Sequence, residues 1–269
     1  MRKDMSKDMS KSDTSPHCTR YLASLIAAIL TACASTAAST SPTPGVDEAQ
    51  HVFHITPVRP VSELLPLALA AKPPVGTGNF RPADLVELNT LDPTIKLDIR
   101  YATTRNFLGT PLYTQARAFL QRPAAEALAR VNRSLAAEGY GLMVHDAYRP
   151  WYVTKIFWDA VPPAQHSFVA NPDSGSLHNR GCAVDLTLYD LKTGRAVEMT
   201  SDYDEMSERA YSSYAGGTAE QRRLRGILQQ HMTAEGFLAI EFEWWHFDYR
   251  EWDQYATQNV RFEDIGASK

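Results

Sequence analysis

An α+β domain, a central antiparallel sheet flanked by helices, is predicted from about Asn79 to Lys269, and three observations predict it. Stretches with the apolar period of a one-sided helix alternate with others. Those others have the length and pattern of strands. No internal repeat is present. Helices interspersed among such strands pack onto a mixed or antiparallel sheet. The composition agrees: 269 residues, 44% hydrophobic and 22% charged, exclude collagenous, low-complexity and wholly disordered chains. Three cysteines cannot build a disulfide scaffold, and a formal charge of −4 gives no footprint for nucleic acid.

The elements follow in order. Ile95 to Tyr101 alternates apolar with polar residues, as a half-buried strand does. Pro123 to Glu138 is a helix with Ala124, Leu128, Val131 and Leu135 on one face, and Gly139 stops it. Gly141 to Val144 is a short apolar strand running into His145-Asp146-Ala147-Tyr148-Arg149-Pro150. Pro150 suits the first position of a helix through Trp158. Cys182 to Leu188 is a second alternating strand. Ala219 to Glu235 is a helix with Leu224, Ile227, Leu228 and Met232 inward, and Leu238 to Tyr249 is strand-like and aromatic.

The first third has a different character. Arg2, Lys3, Lys7, Lys11 and Arg20 precede an apolar run, Tyr21 to Leu30, too short to span a bilayer. The run ends in Leu30-Thr31-Ala32-Cys33, which resembles a bacterial lipobox. The expectation is a signal peptide over 1–32, export to the periplasm or cell surface, and a membrane anchor through lipid on Cys33. An ordinary signal cut nearby at a small residue is the alternative. Cleavage removes five basic and three acidic residues, taking the formal charge to about −6. Residues 33–78 then carry the attachment cysteine and a tether: 34–46 are Ala, Ser, Thr, Pro, one Gly and one Val and cannot order themselves, whereas 47–78 stay open between tether and fold, and Val61 to Ala71 could form a helix that packs on the domain.

Three segments carry chemistry. His178 and Asp185 have six residues between them, and Gly181 permits a turn that returns the carboxylate to the imidazole. Glu243-Trp244-Trp245-His246 is the second. Strict strand alternation would put Glu243 and His246 on opposite faces, so their convergence needs a bulge or a strand end. The third is the Arg149 turn. Two His and one Asp make a zinc triad with a fourth position for water, whose pKa zinc lowers from about 15.7 to roughly 7. A glutamate beside it takes and passes the proton, and a fixed arginine stabilises the developing oxyanion. Singly, each signal has a structural reading: an Asp capping a turn, a packed His, two core tryptophans. His17, His51, His54, His166 and His231 are given no site role, whereas His145 shares a turn with Arg149 and is kept as a weaker candidate.

Taken together, these segments resemble the zinc D-alanyl-D-alanine dipeptidases, the VanX-type members of the D-Ala-D-Ala metallopeptidase family. The resemblance covers about 190 residues. It rests on Tyr101-Ala102-Thr103-Thr104-Arg105-Asn106-Phe107-Leu108-Gly109, on Asp146-Ala147-Tyr148-Arg149-Pro150, on Ser176 to Leu188, and on Glu243-Trp244-Trp245-His246. It implies one zinc ion per chain held by His178, Asp185 and His246, Glu243 as catalytic base, and Arg149 on the water and tetrahedral intermediate. It further implies that Tyr101, Asp204 and Ser176 line the pocket, with Asp204 pairing the ammonium of a free dipeptide. The implied reaction is hydrolysis of D-Ala-D-Ala in a small enclosed site within a compact α+β domain. Familiar members work in the cytoplasm, whereas this chain carries an export signal, so scavenging of D,D-dipeptides outside the cytosol is the expected role. Cys182, between two of the ligands, is a second departure. Two rivals remain: an exported zinc D,D-carboxypeptidase or endopeptidase acting on peptidoglycan stem peptides, and a surface-anchored binding lipoprotein without catalysis. Glu243 and Arg149 speak against the second, because a binding module needs no base.

Overall fold

The computed structural model describes residues 52–266, so the predicted signal peptide and Cys33 lie outside the described residues. Five strands form the main sheet in the order β2 (Lys96–Leu97), β4 (Tyr140–Asp146), β5 (Ala183–Asp190), β7 (His246–Tyr249), β6 (Phe237–Ala239). All neighbours are antiparallel except β2, which runs parallel to β4. The α+β reading holds, with this one parallel edge added. A separate ribbon pairs β1 (Leu85–Glu87) with β3 (Phe119–Gln121).

Helix α3 (Arg122–Leu135) buries Ala124, Leu128, Val131 and Leu135, and it ends through a short 3-10 turn at Gly139, whose φ is +85°. Helix α5 (Ala219–Ala234) starts with a reciprocal cap: Thr218 Oγ1 accepts from the Gln221 amide, and Gln221 Oε1 accepts from the Thr218 amide. Both helices pack on the sheet, where Leu142, Val144, Leu186 and Leu188 are fully buried. The alternate residues of β5, Asp185 and Thr187, belong to the other face. A bulge in β4 shifts the register between Val144, opposite Leu186, and Asp146, opposite Asp185.

Three expectations need correction. The strand over Ile95–Tyr101 is two residues long, because Arg100–Ala102 turns into a 3-10 helix that buries Tyr101. The alternation there reflects burial in a loop. Pro150 is not the first helical residue but the residue ahead of α4 (Trp151–Ala160), with ψ at 141°. Leu238–Tyr249 is a hairpin, not one strand. Its connection bonds elsewhere, with Ser212 N donating to Glu241 O at 2.8 Å and Trp244 N to Ala210 O at 2.8 Å.

Ahead of the domain, α1 (Val61–Ala70) buries Val61, Leu64 and Ala68 and packs on α4. Ile55 N donates to Phe107 O and Val58 N to Ala160 O, each at 2.9 Å. The stretch from Val52, which the sequence leaves open between tether and fold, is therefore docked on the domain, and the helix read over Val61–Ala71 is present. Among the described residues no helix is long and apolar enough to cross a membrane.

Candidate active site

Three adjacent strands bring the polar residues into one row. Asp146 on β4, Asp185 on β5 and His246 on β7 are directly opposed across the ladders. The hairpin supplies what the sequence pattern lacked: β7 begins at His246, so Glu243 lies in the connection and is free of strand alternation. His178 comes from a 3-10 turn, Leu177–Arg180. Ser176 caps it by accepting from the His178 amide, and Gly181, at φ +70°, closes it. This turn is tied to the Arg149 segment, since Arg149 N donates to His178 O at 3.1 Å and Asn179 Nδ2 donates to Arg149 O at 2.8 Å.

The three predicted ligands meet. Asp185 Oδ1 lies 3.1 Å from His246 Nδ1 and 3.3 Å from His178 Nε2, and the two imidazole nitrogens are 3.1 Å apart. Their hydrogens are assigned by the far side of each ring. His178 Nδ1 donates to Ala147 O at 2.7 Å, and His246 Nε2 donates to Asp248 Oδ1 at 2.8 Å. Each ring, when neutral, then turns a bare lone pair inward, onto the other and onto a carboxylate. Three buried acceptors facing one another could hold a cation. Ligands at zinc bond lengths on a tetrahedron stand about 3.3 Å apart, so the donor set fits such an ion. The outer bonds from each ring to a carbonyl or carboxylate are those that orient metal-binding histidines.

Around this cluster the charges are buried. Burial alone would raise the Asp185 carboxyl, but with a proton on the facing imidazoles their charge holds it well below the usual carboxylate range. Glu243 Oε2 lies 3.6 Å from His246 Nδ1, and burial pushes its carboxyl up to about 7. Arg149 is anchored by Asp146 Oδ2, 2.8 Å from both Nε and Nη2, and faces Asp185 Oδ2 at 3.6 Å. The phenyl ring of Phe157 lies 4.7 Å from the guanidinium carbon. Tyr101 donates to Asp204, its hydroxyl 3.0 Å from either oxygen. Asp204 has φ +63°, which is rare for a residue with a side chain, and burial followed by the charges of Asp185 and Glu243 holds it far above the usual range. All of these line, or sit directly behind, one cleft of about 320 Å³, whose wall also includes Ser176.

His145 lies outside the cleft, buried against Asp98 and 4.9 Å from the Tyr203 ring. His166 stacks on Trp158 and His231 bonds Ser134. Cys182 is buried, its thiol pushed up to about 12 by burial, and it is not among the clustered ligands. Sequence reasoning missed the roles of four residues: Asp146, which holds Arg149, Tyr113, whose hydroxyl donates to Asp146 Oδ1, Asp248 behind His246, and Tyr203, whose hydroxyl donates to Asp185 Oδ2 at 2.9 Å. Only Asp248 had a legible signal, two positions beyond His246 on the same strand face.

A clustered His-Asp-His set beside a glutamate and a fixed arginine, carried on this α+β sheet, is the arrangement of a metallopeptidase. The profile of the D-ala-D-ala dipeptidase family of M15 peptidases matches residues 81–265, and the chain belongs to that family. A D-alanyl-D-alanine dipeptidase of Escherichia coli (strain K12) is 36% identical over 165 residues, 61% of this chain and 84% of that one. One of Enterococcus faecium is 35% identical over 175 residues, 58% and 87% of the two chains. One of Enterococcus faecalis is 36% identical over 172 residues, 57% and 85%.

Proposed function

We propose that this peptidase is a zinc-dependent D,D-dipeptidase that hydrolyses D-Ala-D-Ala to two molecules of D-Ala. The observation that carries the reading is the convergence of three lone pairs within 3.3 Å of one another, with Glu243 and Arg149 beside them. A zinc ion held by His178 Nε2, Asp185 Oδ1 and His246 Nδ1 would act as Lewis acid, acidifying a water and polarising the scissile carbonyl. Glu243, balanced near neutrality, takes a proton from the attacking water and hands it to the leaving amine as the C–N bond breaks. Arg149 stays cationic and steadies the oxyanion as the carbonyl carbon becomes tetrahedral. Asp204, held by Tyr101, receives the substrate ammonium, the charge that would favour its ionised form. Ser176 adds a hydroxyl at the cleft wall.

The deciding experiment compares D-Ala release by the zinc-loaded protein from free D-Ala-D-Ala and from a stem pentapeptide ending in D-Ala-D-Ala. Turnover of the dipeptide alone is expected. Turnover of the pentapeptide would replace this reading with a wall-trimming carboxypeptidase. Export, with lipid on Cys33 and action at the cell surface, is part of the same proposal and rests on residues 1–33. Labelling cells with a fatty-acid probe tests it, and unmodified protein in the cytosol would overturn it.

A further inference from the structure

A second cavity, of about 240 Å³, lies on the same side of the sheet, and no residue lines both it and the catalytic cleft. Tyr203 separates them. Its ring lines the second cavity, while its hydroxyl reaches Asp185 and Tyr101 in the first. The inner end is built from Arg100, His145 and Thr187, all nearly buried. Arg100 gives Nε to Asp98 Oδ2 at 2.7 Å, its guanidinium carbon lies 5.8 Å from the centre of the Tyr203 ring, and its terminal amino groups line the cavity. Thr187 has no partner for its hydroxyl among the described residues. The rest of the lining carries both signs: Glu198, which accepts from Gln221, Asp202, and Arg209, whose Nε donates to Thr200 O.

Terminal N–H groups that open onto the cavity can meet an acceptor that enters it. Two parallel N–H groups match the two oxygens of a carboxylate, and the match is stronger for a charged acceptor. The remaining wall includes Val197 and Met199, which suit a short aliphatic chain. We propose that this cavity is a binding site for a small aliphatic carboxylate, its charged end on Arg100 and its apolar end toward Met199. Such a ligand rests against Tyr203 and therefore beside the group that holds Asp185. The proposal does not depend on which peptide the cleft hydrolyses.

Calorimetry on the full-length protein, with propionate, D-alanine and L-alanine as probes, tests it. Saturable binding of at least one is expected, and the strongest of the three tells whether the natural ligand is an amino acid or a simple acid. Arg100→Gln should weaken that binding at least tenfold. Ala196→Leu, which narrows the cavity without touching the Arg100–Asp98 pair, should do the same and leave turnover unchanged. For D-alanine, a non-competitive component of inhibition should vanish in Ala196→Leu. Absence of saturable binding by all three, or binding that survives both substitutions, would overturn the proposal. Loss of dipeptide turnover in the wild type would count against the proposed reaction alone.

Discussion

The Tyr203 hydroxyl donates to Asp185 Oδ2 at 2.9 Å, so Oδ1 is the oxygen left facing both histidines, at 3.1 and 3.3 Å. One phenol thus selects which oxygen of the carboxylate is offered inward. Groups that orient a metal ligand typically change affinity by about 10–100-fold when removed. Tyr203→Phe is expected to weaken zinc binding about tenfold while the fold stays intact. Competition against a chromophoric chelator measures this, and an unchanged dissociation constant would show that the bond is incidental.

Glu243 is not one of the three clustered ligands, and its burial holds it near neutrality. Glu243→Gln keeps the shape and removes the base. Turnover should fall by about 10²–10⁴ with the zinc content of the purified protein unchanged. His246→Ala, in contrast, should lose metal together with activity. Near-normal turnover in Glu243→Gln would mean that another group takes the proton.

Gly181 sits at φ +70°, and a Cβ there would stand 2.6 Å from Leu85 Cδ2 and 3.4 Å from Gln121 N. Both the left-handed backbone and the contact oppose a side chain. Gly181→Ala should lower stability by roughly 1–3 kcal/mol in urea unfolding. It should also loosen the metal, because this turn sets His178 against β5.

Burial, with Arg100 beside it, pulls the His145 imidazole down to about 4 despite the nearby Asp98. The sign follows from the unfolded chain, where histidine titrates near 6.5 and takes up a proton first as pH falls. The contribution to stability is complete above about 6.5 and is lost as pH falls toward 4, by up to about 3 kcal/mol. Unfolding midpoints measured at pH 7.5 and at pH 5 should differ, and the difference should shrink in His145→Asn. An equal pH dependence in that variant would assign the loss to the carboxylates.

Much of the site was legible because its residues are chemically committed. His178, Asp185, His246 and Glu243 stand out by residue type and by the resemblance of their segments, and the fold brings the four together; α3 and α5 are read from their periods. What could not be read were arrangements made by the backbone of other segments. The Leu238–Tyr249 stretch has strand composition throughout, yet the Ala210 and Ser212 segment claims its middle and folds it into a hairpin. That event frees Glu243 from alternation. Tyr203 was invisible for a similar reason, since its partner Asp185 lies on a separate strand; Asp146 stands three residues before Arg149, and only the turn between them shows that the two side chains meet.

The bulge in β4 has a consequence of counting. A strand shows its residues to two faces by turns, so parity decides which of them a site receives. Val144 lies opposite Leu186, and without the register shift His145 would fall opposite Asp185. With it, Asp146 completes the row to His246 and anchors Arg149, while His145 lines the second cavity. The same chain paired in unbroken register would keep its composition and hydropathy, yet its arginine anchor would be out of step. The catalytic row is therefore written in an ordinal, the place of each residue along β4, as much as in the kinds of residues themselves.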